Sequence, residues 1–301
     1  MKKMWFAMLV QGCFAFGAQQ LTTDNIWVAA EKAEAMAGKY GAANVLFVSD
    51  LDNTLLKTTQ DLASEPWFNW QESLLKESAS ELKMACDLPD LLRLFYISIT
   101  LSPLRPVQED QAQAIARLQK IGVSTIAITA RGEAVASATF RELLSNGIDF
   151  AKTSLAGSGY TQPHLPYDLS DISSSGLTRT DVEKFKLASA RNVVYQRGVL
   201  FSDGQNKGVL LRTLIHKTKS KIRGIVFFDN DQKNTQRVFD AYDGRDEEVW
   251  AVRASRMDTD IQRFKESSKE RVIEEYLILR KLIDNVYHYP RPCKLLLDKK
   301  L

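Results

Sequence analysis

Residues 45–58 read VLFVSDLDNTLLKT. Five mostly apolar residues, Val45 to Ser49, run straight into Asp50 and Asp52. A short, partly β-branched run of this kind suits a strand covered on both faces, as in a parallel sheet. Two acids at its end do not belong in a core. They suit the rim of such a sheet, where ligands bind beyond the carboxyl ends of the strands.

Runs of the same kind recur along the chain. STIAITA (124–130), KIRGIVFFDND (221–231) and EEVWAVRA (247–254) read as strands, and NVVYQ, Arg197-Gly198 and VLFSD read as a hairpin. Helical patterns lie between them. Residues 23–37 have Thr23 or Asp24 to cap the start and Gly38 just past the end. Residues 107–121 put Ala112, Ile115, Leu118 and Ile121 on one face, and 132–147 stop at Asn146-Gly147. A short helix is expected over 208–218, and a long amphipathic one from Asp260 to Val286. The alternation predicts an α/β fold, a Rossmann-like parallel sheet with helices on both faces.

Two segments break the rhythm. Residues 59–106 are too long for a crossover loop and predict a mainly helical insertion, broken at Pro89, that caps the strand ends. Trp67, Phe68 and Trp70 within it read as core aromatics rather than a stacking platform. Residues 151–180, rich in Ser, Gly, Thr and Pro, read as irregular.

With 301 residues and a formal charge of +3, the composition points away from a nucleic-acid surface. The opening MKKMWFAMLVQGCFAFGAQQ has two lysines, an apolar run from Met4 to Phe16 and small residues at Ala15, Gly17 and Ala18. That layout predicts a signal peptide over 1–18, cleaved after Gly17 or Ala18, and hence a periplasmic or secreted protein without a membrane span. Cys13 offers a lipoprotein box as a weaker alternative. Cys86 and Cys293 remain after cleavage, either as a disulfide or as separate thiols. His164, His216 and His288 show no metal-ligand spacing.

Asp50 and Asp52 fall on one side of an extended backbone. Two such carboxylates repel unless a cation sits between them or one holds a proton. Both conditions suit phosphoryl transfer, in which one carboxylate attacks phosphorus and the other gives a proton to the leaving oxygen. Thr54 can steady the turn. Three further features follow in order: Thr129 at a strand end, Lys207 at a helix start, and Asp229, Asp231 and Asn234 in FFDNDQKN. A helix start favours an anion, and carboxylates completed by water and phosphate suit Mg²⁺. Lys184 and Lys186 read as solvated helix residues and Asp231 equally as a helix N-cap; Arg131 and Arg253 lie at strand ends, where they could reach a phosphate, but read as surface ion-pair partners.

VSDLDNT, ITA, the NKG lysine and FFDNDQKN together resemble the four motifs of the haloacid dehalogenase superfamily, over roughly residues 45–254. The DxDxT form is that of its phosphatases. The aromatic insertion and the leader are also similar to an exported bacterial group known mainly as a domain of unknown function. The resemblance implies Asp50 as nucleophile and Asp52 as general acid, then base. It implies Mg²⁺ held by Asp50, the Asp52 carbonyl and Asp229, phosphate held by Thr129 and Lys207, and Asp231 or Asn234 orienting Asp229. The chain departs from the family pattern in having Asn230 where a second acid often stands, and in lacking a proline after the lysine. The expected function is Mg²⁺-dependent hydrolysis of a small phosphomonoester. The alternatives are a secreted binding or host-interaction protein on a silent scaffold, and transfer of the phosphoryl group to an alcohol.

Overall fold

The computed structural model describes residues 17–77, 80–156, 160–288, 293, 295 and 297. In chain order the first elements are β1 (Ala18–Thr23), α1 (Ile26–Tyr40), β2 (Val45–Ser49), β3 (Leu56–Thr58), α2 (Glu65–Leu75), α3 (Leu88–Leu101) and β4 (Leu104–Pro106). The middle of the chain forms α4 (Gln111–Lys120), β5 (Ser124–Thr129), α5 (Ala136–Ser145), α6 (Arg179–Lys184), β6 (Val194–Gln196) and β7 (Val199–Phe201). Then come α7 (Lys207–Lys217), β8 (Gly224–Asp229), α8 (Gln232–Tyr242), β9 (Glu248–Ala254), α9 (Asp258–Glu266) and α10 (Glu270–Tyr287).

Seven strands form one sheet in the order β1-β9-β8-β2-β5-β7-β6, parallel except where β6 runs against β7. The expected α/β architecture is therefore present. Alternation along β2 sends Val45 and Phe47 to one face, with Ile26, Ala33, Ile115 and Leu118. It sends Leu46 and Val48 to the other, with Leu210, Leu214, Val238 and Tyr242. The chain steps from β2 to β5 on one side and later places β8 on the other. This switch opens a crevice at the carboxyl end of β2, where such sheets bind ligands. The tight turn Arg197-Gly198 joins β6 to β7 with both residues at positive φ (49° and 77°), the geometry of a two-residue hairpin turn.

Several boundaries differ from expectation. Helix α1 starts after Asn25, whose side chain accepts the Trp27 N–H at 3.0 Å, and it runs through Gly38. The single helix expected over 260–286 is two, divided at Ser267–Lys269, where Ser267 follows the end of α9 in extended backbone. Strand β1 was not foreseen. Of the expected signal peptide and the Cys13 alternative, residues 1–16 lie outside the described residues, and Ala18 opens β1.

The insertion between β2 and α4 contains α2 and α3, framed by the two-stranded antiparallel ribbon β3–β4. It has its own core, in which Trp67, Leu91 and Leu94 pack with Phe264, Val272, Ile273 and Tyr276 of α9 and α10. Trp67 is fully buried, as a core aromatic should be. A disulfide joins Cys86, between α2 and α3, to Cys293 beyond α10, which settles the pairing left open by the sequence.

Candidate active site

The strand ends bring the singled-out residues together. Asp50 follows β2 directly and is anchored by its N–H donating to the Phe228 carbonyl of β8 at 2.9 Å. The chain then turns tightly: Leu55 N–H donates to the Leu51 carbonyl at 2.9 Å, and Asn53 takes a left-handed φ of 55°. Asparagine tolerates that conformation better than most residues. The turn returns Thr54 to the site, with its hydroxyl 3.0 Å from both Asp50 Oδ2 and Asn230 Oδ1. The same oxygen accepts the Asn230 N–H at 2.9 Å.

Lys207 is the first residue of α7, set by Asn206, whose side chain accepts the Gly208 N–H at 3.0 Å. Its Nζ donates to Asp50 Oδ1 at 2.5 Å and to Asp229 Oδ2 at 2.7 Å, and all three side chains are buried. Lys207 reaches this deep because α7 crosses α8 closely. A Cβ on Gly208 would lie 2.2 Å from the Arg237 carbonyl oxygen. Lys184 donates to the Asp240 carbonyl on the surface instead, as a solvated lysine would.

Asp229, the last residue of β8, is held from the far side. Its Oδ1 accepts the Asp231 N–H at 2.8 Å, and the Asn234 amide lies 3.2 Å from Oδ2. The Asp231 carboxylate caps α8, accepting the Lys233 N–H at 2.8 Å. Thr129 is fully buried, and its hydroxyl accepts the Arg131 N–H at 3.2 Å. On that strand end it is Ala130 and Arg131 that line the cavity.

Two further residues sit at the site, one read from the sequence as a surface pair and one not singled out. Arg131 is not a surface ion-pair partner. It is buried, and its guanidinium grips Asp52 through Nε–Oδ2 at 2.9 Å and a terminal nitrogen to Oδ1 at 2.7 Å, with Thr139 as a further acceptor. Its place two residues beyond a strand end was the available signal. Glu65, at the start of α2, accepts hydrogen bonds from Asn53 (2.8 Å) and Asn230 (3.1 Å), which ties the insertion to the strand ends. Nothing local in the sequence marks it, because only the chain reversal of the insertion brings it over Asp50. Arg253 pairs with Asp258 at 2.7 Å, in line with a surface role.

The electrostatics follow from burial. Removal from water pushes the Asp50 carboxyl up to about 7, with Asp229 and Asp52 adding to the rise and Lys207 opposing it. Burial likewise raises Glu65 to about 8, reinforced by Asp50 and Asp52. Asp229 is raised for the same reason. Burial works against the Lys207 ammonium, but Asp229 and Asp50 outweigh it and hold its pKa above the ordinary lysine value. Asp50 and Asp229 thus share the Lys207 ammonium, Asp52 takes the Arg131 guanidinium, and Glu65 is met by the amides of Asn53 and Asn230. No group of three His, Cys, Asp or Glu side chains gathers as a metal cluster among the described residues. A site of two carboxylates, a carbonyl and water is nonetheless what Mg²⁺ accepts.

Asp50, Asp52, Lys207 and Arg131 open onto a cavity of about 250 Å³. The insertion walls it with Phe68, Leu92, Phe95 and Tyr96. The family model described as Protein of unknown function (DUF2608) matches residues 23–286. The chain belongs to that family. The DUF2608 match runs from the end of β1 through nearly all of α10, so it takes in the acids, the insertion and the helices that complete the insertion's core. Among curated proteins nothing matches.

Proposed function

We propose that the protein hydrolyses a small phosphomonoester through a phosphoryl group carried on Asp50. The observation that carries this reading is the Lys207 ammonium shared by Asp50 and Asp229, at 2.5 and 2.7 Å, on the carboxyl edge of a parallel sheet. Asp50 is fixed by Thr54 and Lys207 and faces a cavity of substrate size.

In the first step an Asp50 oxygen bonds to phosphorus, the ester P–O bond breaks, and Asp52 gives a proton to the leaving oxygen. In the second, water attacks phosphorus, Asp52 takes a proton from it, the Asp50–phosphorus bond breaks, and inorganic phosphate departs. Lys207 and Arg131 offset the charge of the phosphoryl oxygens. The bidentate hold of Arg131 on Asp52 gives this cycle a built-in order. Incoming phosphoryl oxygens compete for the guanidinium, and Asp52 is then free to carry a proton. Asp50, Asp229 and the Asp52 carbonyl would hold Mg²⁺, which when bound shields the phosphate's charge from that of the attacking carboxylate. Thr129, whose hydroxyl accepts the Arg131 N–H, steadies the strand end that carries that arginine beside the phosphate. In this reading the helical insertion is a cap that limits access to small substrates, and the disulfide supports a location outside the reducing cytoplasm.

Release of phosphate from 4-nitrophenyl phosphate and a panel of other esters in Mg²⁺, abolished by Asp50→Asn, is the expected result. No turnover of any ester, or turnover that survives the substitution, overturns the reading. One observation favours a catalytically silent binding scaffold instead: Asp52 is already engaged by Arg131. Calorimetry with Mg²⁺ and vanadate separates the two, since only a live site binds vanadate and loses it in Asp50→Ala.

A further inference from the structure

Four cations line the cavity, and two of them are not taken up by its acids. Lys207 and Arg131 sit at its floor, against Asp50 and Asp52. Lys233 and Arg237 of α8 line it as well. They are four residues apart and therefore share one helix face. Neither side chain has a hydrogen bond or ion pair with the described residues, although Asp231, Asp52 and Glu65 line the same space. The first of these acids caps α8, the second is held by Arg131, and the third accepts from Asn53 and Asn230. The insertion adds an apolar patch beside Asn69 and Tyr96: Phe68 of α2 meets Phe95 of α3 edge-on at 5.3 Å, and Leu92 lines the same cavity.

We propose that the substrate carries a second anionic group, a carboxylate or phosphate, held by Arg237 and Lys233, with its apolar body against Phe68, Leu92 and Phe95. This rests on the hydrolase reading, and it names the substrate class: small organic phosphates with an apolar or aromatic body and a second acid. Arg237 offers a fork to a planar carboxylate or to a phosphate, and Lys233 adds a point charge at the rim.

Binding, not turnover, tests it. The full-length protein with Mg²⁺ is titrated calorimetrically with benzylphosphonate and with 4-carboxybenzylphosphonate, neither of which can be hydrolysed. A bisphosphonate of similar length serves as the phosphate arm. The expected result is about tenfold or tighter binding of a doubly anionic compound, the scale of a charge-assisted hydrogen bond. That ratio should fall to near one in Arg237→Gln, recover in part in Arg237→Lys, and shrink in Lys233→Ala. Equal binding of all three compounds by the wild type, or a ratio that survives in a folded Arg237→Gln protein, overturns the proposal. Failure of ester turnover strikes the hydrolase reading alone, because the binding ratio is read without it.

Discussion

Replacing Asp50 by asparagine should stabilise the metal-free protein at alkaline pH while abolishing the proposed activity. The two side chains are nearly isosteric. The introduced amide can donate to Thr54, and its carbonyl can still accept from Lys207, which keeps Asp229 as its ion-pair partner. What disappears is a buried negative charge. In the folded chain the Asp50 carboxyl rises from an ordinary 3.8 to about 7. At 1.36 kcal/mol per pH unit, keeping it ionised above that range costs about 4 kcal/mol. The sign follows from proton counts. Between these two values the folded state holds more protons than the unfolded one, so stability is full below about 4 and falls as pH rises through about 7. The Glu65 carboxyl, raised to about 8, adds to the same slope. Urea unfolding in EDTA at pH 5 and pH 8.5, followed by tryptophan fluorescence, measures the effect. Wild type should lose several kcal/mol across that interval, and Asp50→Asn should lose less and be the more stable protein at the upper end. Mg²⁺ should narrow or reverse the difference. If the variant is no more stable than wild type at pH 8.5, or if wild-type stability does not fall with pH, the account of this carboxylate as a strained buried charge is wrong.

Lys207→Met leaves Asp50 and Asp229 buried without their ammonium and should cost about 3–5 kcal/mol at neutral pH, less in acid, as urea midpoints will report. Gly208→Ala places a methyl 2.2 Å from the Arg237 carbonyl oxygen, so α7 must shift. The expected loss is about 1–3 kcal/mol, with phosphate-analogue binding weakened as Lys207 moves; unaltered melting would refute the close crossing. Cys293→Ser should cost about 2–5 kcal/mol, with faster hydrogen exchange in α2 and α3 than in β2 and β8.

Much of this was legible because the buried strands are short apolar runs with acids or hydroxyls at their ends. Asp50, Thr129 and Asp229 could be assigned to one sheet edge from that pattern, and Lys207 to a helix start beside it. Strand β1 was not legible. AQQLTT has four polar residues in six and lies on the edge of the sheet, where one side needs no partner, so no hydrophobic period announces it. The break between α9 and α10 was hidden because the apolar stripe carries Phe264 and Val272 into the same core across it. Arg131 and Glu65 were misread or missed for a common reason. Each is held by a partner distant in sequence, Asp52 and Asn230 respectively, and the charge pattern of a local segment does not encode such partners.

The insertion emerges early in synthesis, yet four of the eleven buried residues of its apolar core, among the described residues, are supplied by the last two helices of the chain. All seven strands of the main sheet precede α9, so the sheet can close while Trp67 and Leu91 still lack their covering surface. Cys86 must likewise wait for Cys293 to follow. A ribosome stalled or terminated near residue 256 would release a molecule with a finished sheet and a sticky, half-built lid: a client for chaperones rather than a smaller working protein.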